Sequence, residues 1–119
     1  MKGQSTGLTR IYKATGYSLS GLRAAWKSEA AIRQELILAT GFSVVAMFVD
    51  VSSVERVLMV ASLWLVVIVE LLNSAIEATV DRIGEEWHQL SGQAKDIASA
   101  AVFISLLLAA MTWEILLWR

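Results

Sequence analysis

Three stretches of the chain carry no charge: residues 36–49, 57–69 and 97–113, of 14, 13 and 17 residues. Each falls short of the ~20 apolar residues needed to cross ~30 Å of hydrocarbon. The first extends backwards through the polar trio Arg33, Gln34 and Glu35. The second reaches Val80 if Glu70, Asn73 and Glu77 are admitted, which makes 24 residues counted from Val57. That is ample for a span at ~1.5 Å rise per residue. Leu, Ala, Val and Ile without strand-like alternation favour helices over a transmembrane barrel. The pattern predicts three membrane-spanning helices, at about 30–49, 55–81 and 95–118. A buried soluble bundle is the competing reading, and the length of the extended second segment argues against it.

Residues 5–27 follow a different pattern. At 100° per residue, Leu8, Ile11, Tyr12, Leu19, Leu22 and Trp26 fall within about 100° of one another, with Arg10, Lys13 and Lys27 to the side or opposite. This predicts an amphipathic helix that lies in the headgroup layer or packs on its own bundle. Gly16 and Gly21 weaken it and offer a break. The connection at 50–56 is short, as an antiparallel helical hairpin requires. Residues 82–96 are expected to form a longer polar loop, with Gly84 and Gly92 as breakers. Neither a repeat nor a low-complexity segment interrupts what is expected to be a single integral-membrane domain over residues 1–119.

Composition agrees with this layout. Of 119 residues, 56% are hydrophobic and 18% charged, against the usual 45–50% and ~25% of soluble domains. Mean hydropathy is +0.60. The absence of Cys rules out disulfide scaffolds, thiol catalysis and Cys-based zinc sites, and one His excludes a His-rich metal centre. A net charge of −1 supplies no footprint for nucleic acid. The first 35 residues offer no apolar core of a signal peptide. Of the ten basic residues, only Arg56 and Arg119 fall on one side of the predicted membrane, which places the N-terminus and the second loop in the cytoplasm. Trp113 and Trp118 are expected in an outer interfacial belt, Trp26 in an inner one.

The remaining charges suggest chemistry. Glu70 follows thirteen uncharged residues, where a charge costs ~2.5–3.5 kcal/mol or more. Around the helix from Glu70, Asn73 lies at about 300°, Ser74 at 40°, Glu77 at 340° and Asp81 at 20°. These five polar residues share one stripe, turned from lipid toward other protein. Interhelical hydrogen-bond glue is the bland alternative, but glue is ordinarily Asn, Gln, Ser or Thr rather than carboxylates. Glu70 and Glu77 stand about 10 Å apart along the axis, too far to share one small ion. Glu29, on the first span, reaches the level of Glu77, and the pair can supply the one or two carboxylates that Mg²⁺ takes beside phosphate oxygens. Glu70 lies deeper, where a lipid presents a hydroxyl. Glu86, His88, Lys95 and Asp96 lie on the water side and, with Arg10, can form a polar site. The segment GYSLSG at 16–21 has P-loop spacing but is followed by Leu22 and Arg23 instead of Lys and Ser/Thr, with no strand before it. Protein-kinase motifs are also missing.

The segments EAAIRQE (29–35), ELLNSAIEATVD (70–81) and AKDIASAAV (94–102) resemble the signature segments of the bacterial integral-membrane diacylglycerol kinases. The likeness runs in order from Gly7 to Trp118, and E-x-x-N-S-A-I-E-x-x-V-D is its most specific part. The resemblance implies an all-α membrane protein: a homotrimeric bundle whose protomers each have an N-terminal amphipathic surface helix and three transmembrane helices. It implies transfer of the ATP γ-phosphate, with Mg²⁺, to diacylglycerol to give phosphatidic acid in the bacterial inner membrane, at sites shared between neighbouring subunits. Carried onto matching positions, Glu70 is the general base with Asn73 nearby, and Glu29 and Glu77 hold the metal-nucleotide. Arg10, Tyr17, Glu86, Trp87, His88, Lys95 and Asp96 match nucleotide-contacting positions.

The lipid region implied by the same resemblance begins with Arg10, Ala14, Thr15, Gly16, Tyr17, Ser18 and Leu19. It continues through Arg23, Ala24, Ala25, Trp26, Ala31, Ile32, Arg33, Gln34 and Glu35. Phe48, Val49, Asp50, Val51, Arg56, Glu70 and Ser99 follow, then Trp113, Glu114, Ile115, Leu116, Leu117 and Trp118. Ile32, Leu19 and Trp87 depart from the aromatic, Trp and Tyr usual in the family. Glu114 stands where a neutral residue is expected and is read as snorkelling to the interface. Two other readings compete: an undecaprenol kinase of the same fold, and a small proton-coupled transporter that uses Glu70 as its relay.

Overall fold

The computed structural model describes residues 6–84 and 88–118. It is all-helical over these residues, with α1 at Gly7–Ser28, α2 at Ala30–Ala46, α3 at Ser53–Ile83 and α4 at Gln89–Trp118. Contacts divide the chain into two units, Met1–Ala30 and Ala31–Arg119.

In the first unit, α1 runs unbroken through Gly16 and Gly21, so the expected break is absent. The two glycines cost only ~1 kcal/mol each relative to Ala. Thr15 and Ser18 turn their hydroxyls back onto the carbonyls of Ile11 and Ala14, at 2.9 Å each. Leu8, Ile11, Tyr12, Leu19, Leu22 and Trp26 are all exposed. Glu29 closes the helix in an extended conformation, its N–H donating to the Ala25 carbonyl at 2.9 Å.

In the second unit, three segments are long and apolar enough to cross a membrane: Ala30–Phe48, Ser53–Ile83 and Gln89–Trp118. The closest-packed pair is α3 with α4. The buried positions of α3 are Met59, Ser62, Val66, Val67 and Glu70; Met59, Ser62, Val66 and Glu70 are spaced by three and four and form one stripe, with Val67 beside it. On α4 the buried positions are Ala98, Ser105 and Ala109, small residues that let two backbones approach closely in lipid. The Trp113 indole N–H crosses from α4 to the Met59 carbonyl at 3.0 Å, and its ring meets Phe42 of α2 edge-on at 5.5 Å. Trp64 of α3 donates to the Ser43 hydroxyl of α2 at 3.0 Å.

The hairpin between α2 and α3 is built by Arg56. Its guanidinium donates to the carbonyls of Ala46, Val49 and Val51, which gather the orphan acceptors at the end of α2. Ser52 caps α3 in a reciprocal box with Glu55, a pairing announced by the S-x-x-E spacing.

The second loop is shorter than expected. Gly84 ends α3, and α4 begins at Gln89 and passes through Gly92. His88 supplies the start: its Nδ1 accepts from the Leu90 N–H at 3.1 Å and its carbonyl from the Gly92 N–H at 2.9 Å. With that cap in place, the small penalty of one glycine does not stop the helix. Lys95 and Asp96 therefore sit on a helix, not in a loop.

Candidate functional site

The polar stripe of α3 emerges from the packed bundle by degrees. Glu70 is buried, with 7% exposure, although it carries a carboxylate. Asn73, Ser74 and Glu77 are half-buried, and Asp81 is exposed. Counted from Val57, where the uncharged run begins, Glu70 lies ~20 Å along the axis, Glu77 ~30 Å and Asp81 ~36 Å. Against a ~30 Å hydrocarbon core, the first carboxylate is inside the apolar layer, the second at its edge and the third beyond it.

Helical periodicity brings Asn73 and Glu77 together. The Asn73 amide nitrogen donates to Glu77 Oε1 at 3.0 Å, the i,i+4 reach of adjacent turns. This bond fixes the carboxylate against the helix. Lys95 reaches over from the second turn of α4, and its Nζ meets Asp81 Oδ1 at 2.6 Å. Glu77 adds a longer-range attraction on the same ammonium. Carboxylates and an ammonium thus line one rim of the α3–α4 pair, about two to three turns outside the buried Glu70.

The other sequence-identified positions fall in several places. Arg10, Ala14, Thr15, Gly16, Tyr17, Ser18 and Leu19 lie on α1, where most of them border a surface groove of about 350 Å³. Arg23, Ala24, Ala25 and Trp26 lie further along the same helix, and Glu29 is its extended last residue, not part of the first span. Glu29 belongs to the first unit and Glu77 to the second. Ala31, Ile32, Arg33, Gln34 and Glu35 form the first turns of α2, where Ile32 is fully buried. Phe48, Val49, Asp50 and Val51 make the α2–α3 connection, with Phe48 exposed. Glu86 and Trp87 lie outside the described residues. Ser99 is exposed on α4, as is Glu114 near its far end. Trp113 is turned inward onto Met59 and Phe42, whereas Trp118 is exposed. Ile115 and Leu117 are exposed and Leu116 half-buried.

Two residues have structural duties that the sequence reading missed. Arg56 holds the hairpin, and His88 caps α4. The first had a signal in its place just past a helix end rich in unsatisfied carbonyls. The second had none beyond a polar residue before a helical pattern.

Among the described residues, no three His, Cys, Asp or Glu side chains come together as a cage for a metal ion. Mg²⁺ bound to a triphosphate needs no such cage, because it takes one or two carboxylates and completes its octahedron with phosphate oxygens and water. Glu77, oriented by Asn73, fits that donor set.

The family model described as prokaryotic diacylglycerol kinase matches residues 16–117. The chain is 58% identical over 118 residues to the diacylglycerol kinase of Escherichia coli K12, covering 99% of this chain and 97% of that protein. It is 55% identical over 116 residues to the diacylglycerol kinase of Pseudomonas aeruginosa, covering 98% and 94%. Against that of Helicobacter pylori J99 the identity is 41% over 110 residues, covering 92% and 86%.

Proposed function

The chain belongs to the prokaryotic diacylglycerol kinase family, and from that premise we propose that it transfers the γ-phosphate of ATP to the hydroxyl of diacylglycerol in the bacterial inner membrane, with its N-terminus in the cytoplasm. The observation that carries the reading is the graded stripe of α3. It has a buried carboxylate at lipid depth, and a carboxylate and a paired ammonium at the water side. A lipid alcohol and a water-soluble nucleotide meet only where such a gradient exists.

In this reading Glu70 accepts the proton of the diacylglycerol hydroxyl as its oxygen bonds to the γ-phosphorus, and the bond from that phosphorus to the bridging oxygen of ADP breaks. A positioned base is worth ~10²–10⁴-fold. Glu77 and Glu29 hold the metal-nucleotide, and Asn73 keeps the Glu77 carboxylate aimed. Mg²⁺, when bound, neutralises charge on the phosphates. Lys95 offsets the negative charge spread over the transferred group, as the loose transition state of phosphoryl transfer requires. Arg10, Tyr17, Glu86, Trp87, His88 and Asp96 contact nucleotide. The amphipathic face of α1 lies in the headgroup layer, where the lipid enters. The protein works as a homotrimer with sites shared between subunits.

The test is a lipid panel. Protein purified in detergent is given γ-labelled MgATP with diacylglycerol, and separately with undecaprenol. Labelled phosphatidic acid is the expected product, abolished by chelation of Mg²⁺. Labelling of undecaprenol alone would reassign the substrate. Proton flux in liposomes with no lipid phosphorylated would replace the kinase reading with a transporter.

A further inference from the structure

Asp81 has no part in the reaction as set out above, yet it is the residue that holds Lys95. It continues the stripe of Glu70, Asn73 and Glu77, four residues beyond Glu77 on the same face of α3. Its Oδ1 lies 2.6 Å from Lys95 Nζ, with side chains 66% and 41% exposed, respectively. An ion pair so exposed adds little to the fold, so stability is a poor explanation for it. Its geometric effect is larger. A free lysine samples many rotamers, and fixing it carries an entropic cost. Tethered to Asp81, the ammonium is drawn toward the α3 stripe beside Glu77. Lysine has three N–H donors, and one carboxylate oxygen leaves donors for phosphate.

We infer that Asp81 is a positioning residue for nucleotide binding, holding the Lys95 ammonium beside Glu77 before the triphosphate arrives. This rests on the proposed kinase reading only in naming the phosphate donor; the tether itself is a matter of nucleotide affinity. Asp81 touches neither lipid nor the reacting atoms in this arrangement. Its loss is therefore felt in nucleotide affinity and, through the displaced Lys95 ammonium, in the chemical step, not in lipid affinity.

The test uses the full-length protein in detergent, with the Mg²⁺ complex of a non-hydrolysable β,γ-methylene ATP analogue as the binding probe. Asp81→Asn is expected to weaken the analogue by roughly two- to five-fold, the span of an exposed ion pair. The KM for MgATP should rise by the same factor and kcat should fall with it, while the KM for a short-chain diacylglycerol stays put. Asp81→Glu should restore binding. In a Lys95→Met background, Asp81→Asn should have no further effect. Unchanged or tighter binding in Asp81→Asn overturns the inference, as does a loss of equal size in the Lys95→Met background. A wild-type protein that binds the analogue but phosphorylates no diacylglycerol would sink the lipid reading, with the tether still decided by the binding cycle. A wild-type protein that binds no analogue would end both.

Discussion

Asn73 donates to the Glu77 carboxylate across one helical turn at 3.0 Å, and this bond holds a half-buried carboxylate in one orientation at the edge of the apolar layer. A residue that orients a metal-holding carboxylate is worth ~10–100-fold when removed. Asn73→Ala should therefore lower kcat/KM for MgATP by about that factor, and raised Mg²⁺ should recover part of the loss. Steady-state kinetics at several Mg²⁺ concentrations check it, with helicity by circular dichroism unchanged. A loss that Mg²⁺ leaves untouched would place Asn73 at the lipid instead.

Glu70 is the group for which burial and chemistry coincide. Glu70→Gln keeps the volume and removes the ability to take a proton, so turnover should fall by ~10²–10⁴-fold. Binding of a non-hydrolysable nucleotide should be unchanged, because Glu70 lies ~10 Å deeper than Glu77. Normal turnover in this variant would remove Glu70 from the role of base.

Arg56 should matter to the fold more than to the chemistry. Its guanidinium satisfies three carbonyls from Ala46, Val49 and Val51. Arg56→Met strands the Ala46 and Val51 carbonyls, while Val49 keeps the Val51 N–H, at about 1–3 kcal/mol of stability. Arg56→Lys should recover only part, since one ammonium cannot reproduce a planar fork across three acceptors. Denaturation in detergent reads the difference.

The stripe of α3 was legible because carboxylates are scarce in apolar helices and a period of 3.6 residues places Glu70, Asn73, Glu77 and Asp81 together. The continuation of that stripe through Met59, Ser62 and Val66 was silent, since apolar residues on an apolar helix do not reveal which face is buried. The sequence puts Lys95 at the end of a polar loop because Gly92 has the character of a helix breaker. What carries the helix through is the His88 cap, whose Nδ1 acts on the backbone two residues on and leaves no periodic trace. In the sequence Arg56 stands as an exception to the sidedness of the basic residues, and the resemblance places it in the lipid region. Its actual duty depends on where the end of α2 aims its carbonyls, which only the folded hairpin defines.

Trp113 separates two ways in which an indole can join helices. Its N–H reaches the Met59 carbonyl at 3.0 Å, but that oxygen also accepts from the Ser62 hydroxyl at 2.8 Å. Losing the indole donor therefore does not orphan the acceptor, and polar contacts between membrane helices average only ~0.6 kcal/mol. The ring itself bridges α4 to Phe42 of α2, edge to face at 77°, a contact worth ~0.5–1.5 kcal/mol beyond its area. Trp113→Phe should accordingly cost under ~1 kcal/mol, whereas Trp113→Ala should cost at least ~2 kcal/mol through the cavity left behind. Phe42→Ala should couple to Trp113→Ala in a double-mutant cycle. Equal losses for Trp113→Phe and Trp113→Ala would assign the joint to the hydrogen bond instead of the ring.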